Sequence, residues 1–382
     1  MNICFISLGY PNPRSGGLEN VTYILIKSLL QKGYHICSII GEHIHSKGDL
    51  QIDCLPILDL NNEIALLKNY ITSKQIDILI NQCSEQFSFD IVKLFKEINP
   101  QGKTIKVIHS DPLALIKGIK DNSLLLLDKR SKIFKEQLLN LIRIFKRESY
   151  LKYMYAQWNP FYDKFIVLSN SYIDNLKKFN IPESKILAIN NPIPNSIVKS
   201  NDNKNKNILF VGRMCAQAKR PDRMISVWSK LYEKFPDWKL FMIGDGPLKE
   251  KLENYCKKKE IKNVYFLGQI DPSPYYGNAS ILCLTSTYEG LPMVLVEALS
   301  YGIIPIAFKS FDGINDVIKN NFNGILIKPF KINKYVKSLN KLMSNSFFRK
   351  NLTKNILSDK ELEHKLSLNN IINKWINLFD TI

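Results

Sequence analysis

With 382 residues, 45% of them hydrophobic and 23% charged, the chain is long enough for two domains with sizeable cores and too apolar to be disordered. Its longest apolar runs, at 124–127 and 291–296, fall far short of the roughly 20 residues a membrane span needs. The first residues also lack the basic start, apolar stretch and small-residue cleavage site of a secretory signal. Lys and Arg total 53 against 35 Asp and Glu, and this net charge of +18 draws polyanions: nucleic acid, an anionic membrane surface or phosphorylated ligands. Seven cysteines without a CxxC pair, several of them (Cys4, Cys37, Cys283) inside apolar runs, read as reduced thiols of a cytoplasmic protein.

In chain order, residues 2–8, 35–40, 76–82, 104–109, 164–169 and 185–190 read as strands, with helical patterns such as 18–31 and 85–98 between them. Gly16 and Gly17 follow the first strand and precede the first helix. They let backbone amides approach a phosphate or sugar, or simply make a tight turn. His109 ends the fourth run. Residues 131–155 break the rhythm, with Phe134, Leu138, Leu141, Ile142 and Phe145 at helical spacing beside Lys132, Lys135, Arg143, Lys146 and Arg147. Such a basic amphipathic helix suits an anionic membrane, and equally a surface helix with a solvated basic side. A turn cluster at 191–195 and a polar stretch at 199–207 separate the halves. The alternation then resumes with strands at 207–212, 239–243, 264–268, 281–286, 304–308 and 324–327, and with a helix at 223–235. Residues 366–382 form a last amphipathic stretch that could pack on either half. Strands apolar on both faces and joined by helices predict α/β architecture with two doubly wound parallel sheets.

The second half concentrates the chemistry. Arg213, Lys219 and Arg220 follow its first strand, where cations suit a diphosphate or make a solvated loop. Gly244, Asp245, Gly246 and Pro247 make a structural turn at the next strand end. In the stretch from Ser286 to Leu299, Pro292 predicts the first turn of a helix, leaving the amides around Gly290 to Met293 as an anion site with Glu289 at its mouth. Glu297 sits among Val294, Leu295, Val296, Ala298 and Leu299. It faces solvent from one side of the helix or, if buried, needs donors such as the two hydroxyls of a ribose. No Asp-x-Asp occurs, and no His or Cys cluster has metal-ligand spacing.

Glu289 and Glu297, with seven residues between them, resemble the paired-glutamate motif of the retaining glycosyltransferases of family 4, which have the GT-B fold. The layout resembles that family over the whole chain: Gly16 and Gly17, then Gly212, Arg213 and Lys219, the Gly244–Pro247 turn, Phe266 to Gly268, and the Glu289 segment. The resemblance implies an acceptor-side Rossmann-like domain at 1–195, a linker at 196–207, a nucleotide-sugar-binding domain at 208–365 and a C-terminal helix at 366–382, the two sheets facing a central cleft. It implies that Arg213 and Lys219 neutralise the donor diphosphate and that Glu297 holds the ribose. Glu289 with Gly290, Leu291, Pro292, Met293 and Val294 would hold the donor sugar and phosphate, Ile270 would meet the base, and His109, Gly16 and Gly17 would reach the donor from the first domain. The implied enzyme works without cofactor or metal and takes a nucleotide sugar, a UDP-sugar first, and a saccharide or polyprenyl-diphosphate-linked acceptor. It would act in cell-surface polysaccharide synthesis, peripheral on the anionic inner membrane face, with no nucleic-acid partner. The rivals are a nucleotide-sugar 2-epimerase of the same fold and a non-catalytic basic membrane- or nucleic-acid-binding protein. The chain departs from the family pattern at Arg220, where many members have Gly. It also has a longer Gly302–Pro305 spacing, and Asp312 to Asp316 stand in place of a Gly-rich, Glu-containing segment.

Overall fold

The computed structural model describes residues 1–13, 17–42, 50–120, 133–192 and 204–382, with backbone alone at 120 and 133–138. The described residues contain two parallel sheets. One is formed by β1 (Asn2–Ser7), β2 (His35–Ile40), β3 (Asp53–Pro56), β4 (Ile78–Asn81), β5 (Lys103–Ile108), β6 (Lys164–Val167) and β7 (Ile186–Ala188), in the order β3-β2-β1-β4-β5-β6-β7. The other is formed by β8 (Asn207–Val211), β9 (Lys239–Ile243), β10 (Val264–Gly268), β11 (Ile281–Leu284), β12 (Ile304–Phe308) and β13 (Ile325–Ile327), in the order β10-β9-β8-β11-β12-β13. Each is a doubly wound Rossmann-like sheet, and its strand order reverses between β1 and β4 or between β8 and β11. Loops diverge above those two switch points, the usual place for a ligand in such a sheet.

The central strands are apolar on both faces because helices cover both: Ile3, Cys4, Phe5 and Ile6 of β1 are all fully buried. The helix Gly17–Gln31 adds Tyr23, Leu25, Ile26 and Leu29 to the same core. That core also takes Ile371, Ile372, Trp375, Leu378 and Phe379 from the helix Leu368–Thr381, whose first turn is capped by Ser367 Oγ accepting from the Asn370 amide at 3.4 Å. The C-terminal stretch therefore completes the first sheet's core, a choice its amphipathic pattern left open. β3 is an addition to the expected strands. It is a half-exposed edge strand containing Asp53 and Pro56, too polar to register as an apolar run. The helix expected at 223–235 is regular only over Pro221–Trp228. Beyond it the amides of Lys230 and Leu231 reach back three residues, to the Val227 and Trp228 carbonyls, in tightened turns.

The chain divides into two compact units: Met1–Pro112, Glu148–Pro194 and Leu366–Ile382 in one, and Leu113–Arg147 and Asn195–Lys365 in the other. The segment after β5 groups with the second unit because Lys117 Nζ pairs with Asp312 Oδ2 at 2.9 Å and Gly118 lies against the Tyr288 ring. Residues 204–206, at the end of the expected linker, are also bonded into that unit. Lys204 Nζ donates to the Tyr301 carbonyl at 2.6 Å, and the Asn205 amide donates to the Asn278 carbonyl at 3.0 Å.

Candidate functional site

The loops after β8 and β9 are pressed together backbone to backbone. A Cβ on Gly244, whose φ is +130°, would sit 2.2 Å from the Gly212 carbonyl oxygen, so only glycine fits. The Met214 amide donates to the Asp245 carbonyl at 2.7 Å, and the Leu248 amide donates to the Met214 carbonyl at 3.0 Å. The Lys219 methylenes lie 3.1 Å from where a Gly212 Cβ would be. The chain enters the helix Pro221–Trp228 through Arg220, which holds a left-handed conformation (φ 50°, ψ 57°). Its guanidinium forms a two-pronged pair with Asp222, Nε to Oδ1 and Nη2 to Oδ2, both at 2.9 Å, and both residues are buried. The left-handed cost of a non-glycine residue is thus met by a shielded fork-to-carboxylate pair, which accounts physically for Arg at this position.

The loop after β11 is stitched onto this loop. Thr285 Oγ1 donates to the Arg220 carbonyl at 2.8 Å, and the Thr287 amide donates to the Ala218 carbonyl at 2.7 Å. Arg223, buried with its guanidinium 4.0 Å from the Phe330 ring, donates from Nη1 to the Thr285 carbonyl at 3.1 Å and to Thr287 Oγ1 at 3.3 Å. These bonds bring Lys219 Nζ within 2.8 Å of Glu289 Oε1, which also accepts from Ser286 Oγ at 2.6 Å. The sequence treats Lys219 and Glu289 as separate groups. In the fold they are an ion pair with little exposure.

Pro292 does not occupy the first turn of the next helix. It is the residue just before it (φ −72°, ψ 102°), and Met293–Ser300 form the helix, with the Leu295 amide already donating to the Pro292 carbonyl at 2.9 Å. Having no N–H of its own, Pro292 leaves Met293 and Val294 as the first amides of that helix, and Leu291 is buried beneath it. Glu297 points off the same helix and is mostly buried. Burial dominates and raises its pKa above the ordinary carboxylate value, opposed in part by the Tyr276 hydroxyl, donating to Oε2 at 2.7 Å, and by the nearby Lys219 ammonium. Lys219, Glu289 and Glu297 therefore form one electrostatic group. Arg213 is exposed, and among the described residues no ion pair engages it. Ile270 is 41% exposed just past β10, after Gly268 with φ +73°.

Three other expected residues belong to the first unit. His109 follows β5 with Nε2 bonded to Gln82 Oε1. Burial, reinforced by the Lys106 cation, pushes its pKa down to about 3, so the ring is neutral at pH 7. Gly17 opens the helix Gly17–Gln31 with no atom within 4 Å of a would-be Cβ. Gly16 lies outside the described residues. Among the described residues no three His, Cys, Asp or Glu side chains converge as metal ligands would.

Tyr276, Ser286, Asp222 and Arg223 are the residues that sequence reasoning missed. Tyr276 and Arg223 act through partners from a different loop or helix, Glu297 and the Thr285–Thr287 turn, that nothing in their immediate neighbours announces. Ser286 and Asp222 bond to Glu289 and Arg220 within their own loops, where spacing alone does not single them out.

Residues 193–359 match the model of one family. It is described as Glycosyl transferases group 1, and the match includes Lys219, Glu289 and Glu297. An uncharacterized glycosyltransferase of Haemophilus influenzae is 34% identical over 188 residues, covering 48% of this chain and 52% of that protein. A Campylobacter jejuni protein named GalNAc-alpha-(1->4)-GalNAc-alpha-(1->3)-diNAcBac-PP-undecaprenol alpha-1,4-N-acetyl-D-galactosaminyltransferase is 29% identical over 374 residues, 95% of each chain. A Salmonella typhimurium lipopolysaccharide 1,6-galactosyltransferase is 28% identical over 199 residues, 50% of this chain and 55% of that one. Apart from the Campylobacter protein, the alignments with these curated relatives span about half of their length. Among solved structures, a mutant of S. aureus TarM in complex with Fondaparinux, alpha-GlcNAc-glycerol and UDP superposes with a TM-score of 0.76 at 16% identity, covering 100% of both chains. Anabaena HepE in complex with UDP-glucose superposes at 0.73 and 14% identity, again over 100% of both chains. The fold is that of the GT-B glycosyltransferases.

Proposed function

We propose that the protein is a retaining glycosyltransferase of the family 4 type. It moves a sugar from a UDP-sugar to a saccharide carried on a polyprenyl diphosphate, in the assembly of a cell-surface polysaccharide. The observation that carries this reading is the grouping of Lys219, Glu289 and Glu297 above the β8/β11 switch point, inside the segment that matches the glycosyltransferase model. In this reading Glu297 accepts hydrogen bonds from the ribose hydroxyls. Lys219 and Arg213 face the diphosphate, with the Met293 and Val294 amides at the positive end of their helix. Glu289 and the main chain from Gly290 to Val294 hold the donor sugar, Ile270 meets the base, and Gly16, Gly17 and His109 serve the sugar from the first unit.

The acceptor hydroxyl oxygen bonds to the anomeric carbon as the bond from that carbon to the diphosphate oxygen breaks. The acceptor proton passes to the departing phosphate oxygen, so no separate base is required. The sugar carries oxocarbenium character while negative charge grows on the leaving group, and the cations stabilise that charge. Preassembled cations do this without a metal ion, so transfer persists in EDTA.

The acceptor reading extends to a membrane surface. No described helix is long and apolar enough to cross a bilayer. On the helix Ile133–Trp158, however, Leu141, Ile142 and Phe145 are 64%, 48% and 73% exposed beside Arg143, Lys146 and Arg147. Apolar side chains at the surface with cations next to them suit anionic lipid.

The test is a transfer assay against UDP-, GDP- and ADP-sugars with nucleotide binding measured alongside. Glu297→Gln weakens UDP binding by about 1–3 kcal/mol, the scale of hydrogen bonds to a charged group. A donor converted to another nucleotide sugar with no acceptor present makes the protein an epimerase instead. Unchanged UDP affinity in folded Glu297→Gln removes the ribose role. Reversing Arg143, Lys146 and Arg147 to Glu releases the protein from anionic vesicles, and equal vesicle binding ends the membrane reading.

A further inference from the structure

Tyr276 is 2% exposed, on the short helix Ser273–Asn278, and its hydroxyl donates to Glu297 Oε2 at 2.7 Å. It is not held there by this bond alone. Its ring stacks on Tyr301, with centroids 5.6 Å apart and planes 26° apart. Lys204 Nζ clamps the carbonyls of both tyrosines, Tyr276 at 3.3 Å and Tyr301 at 2.6 Å. The helix that carries Tyr276 is itself fixed at its start by Asp271 Oδ1 accepting from the Ser273 amide at 2.9 Å. The hydroxyl is thus a rigid donor to one oxygen of a carboxylate that burial alone would tend to protonate.

We infer that Tyr276 is a positioning residue that sets how Glu297 meets the donor. By occupying Oε2 it fixes the carboxylate rotamer and favours its ionised form against burial, and it directs the acceptor capacity of the other oxygen to the vicinal hydroxyls of the nucleotide's ribose. This inference rests on the reading of Glu297 as the ribose ligand. It adds that ribose recognition is tuned from outside the motif helix, and that position 276 contributes to the lower pH limit of nucleotide binding. The charged groups facing Glu297 are Lys219, whose ammonium favours the carboxylate, and Asp271, whose carboxylate opposes it. The pH limit therefore reflects the three together, and the tyrosine supplies the direct hydrogen bond.

The experiment measures the affinity of UDP and of 2′,3′-dideoxy-UDP for the wild-type chain, Tyr276→Phe, Glu297→Gln and the double variant, from pH 5 to 8. Tyr276→Phe keeps the ring and its stacking and removes one oxygen. It should weaken UDP about tenfold, the scale of one hydrogen bond to a charged group, and move the acid limb of UDP binding to higher pH. Dideoxy-UDP, which offers no ribose diol, should bind the wild type and Tyr276→Phe equally, and this also reports that the variant is folded. The double variant should bind UDP no worse than Glu297→Gln, because both changes disable one contact. Equal loss of UDP and dideoxy-UDP in Tyr276→Phe would mean that the tyrosine only supports the fold. Unchanged UDP affinity and acid limb would mean that it does not act through Glu297, and either result overturns the inference while leaving the ribose reading in place. If Glu297→Gln itself leaves UDP affinity intact, the ribose reading falls first and the inference falls with it.

Discussion

At the carboxyl ends of β8 and β11 two cations find opposite charges: Lys219 meets Glu289 at 2.8 Å and Arg220 meets Asp222 at 2.9 Å. Within β5 and just past its end, in the other unit, the basic groups are treated differently. Lys106 is buried with its ammonium 5.0 Å from the Trp158 ring, and burial brings its pKa down to about 8. His109, a few residues on, is bonded to an uncharged glutamine and held neutral. In a pair each ion offsets part of the desolvation of the other. Burial without pairing pushes a cation toward its neutral form. The two cations of the second unit are therefore paired, whereas burial in the first unit weakens the hold of Lys106 on its proton and keeps His109 neutral.

The contrast can be broken most severely at Arg220. Arg220→Gly relieves the left-handed backbone, worth about 1–2 kcal/mol. It also strands the Asp222 carboxylate, which is 1% exposed, at a cost of about 3–5 kcal/mol. A net loss of roughly 1–4 kcal/mol in chemical denaturation is expected, with partial recovery when Asp222→Asn is added. A neutral Arg220→Gly would mean that pairing is not what holds this loop.

Lys219→Ala tests whether the paired charges serve chemistry. It leaves the fold of the loop to the Thr285 and Thr287 bonds and should lower kcat by about 10²-fold or more, the scale seen when one charge-stabilising donor is removed. Arg213→Ala should fall in the same range. Full turnover in either variant, or activity abolished by EDTA and restored by Mg²⁺, would transfer the charge-stabilising role to another group.

Lys106→Met sharpens the other half of the comparison, and its sign is opposite. The folded pKa of about 8 lies below the ordinary 10.5, so the unfolded chain holds this proton more tightly. Wild-type stability contributed by Lys106 thus rises with pH between about 8 and 10.5 and is lowest below that window. The methionine variant should be more stable by about 1–3 kcal/mol at pH 7, an upper range for a shift of this size. Its advantage should shrink when unfolding is measured at pH 9.5. A destabilised variant at pH 7 would show that the ammonium has a compensating partner and is not merely tolerated.

Much of this architecture was legible because it is local. A strand covered by helices on both faces of its sheet must be apolar throughout, so runs such as Ile3–Ile6 and Ile304–Phe308 announce themselves and their parallel orientation follows. The positions of Arg213, Lys219 and Glu289 in the loops after strands, and of Glu297 on the helix that follows, were readable for the same reason: a strand's end and a helix's start are marked by adjacent residues. β3 escaped because an edge strand needs to be apolar on only part of its surface and this one carries Asp53 and Pro56. The length of the helix after Arg220 escaped because turns that reach back three residues keep nearly the same apolar spacing as a regular helix.

The amino-acid sequence by itself determined two doubly wound parallel sheets, a break between them, and which strand ends carry cations and carboxylates. These depend on periodicity and on neighbours in the chain. Only the tertiary structure decided which of those groups meet. Lys219 and Glu289 become an ion pair because β8 and β11, far apart in sequence, lie side by side in the sheet. Tyr276 reaches Glu297 because two helices flanking β11 approach each other. The helix Leu368–Thr381 closes the core of the sheet that begins the chain. An amphipathic pattern states how much apolar surface a segment must bury, and a charged residue states that it needs a partner. Which surface and which partner depend on the strand order, and that is decided only when the whole chain packs.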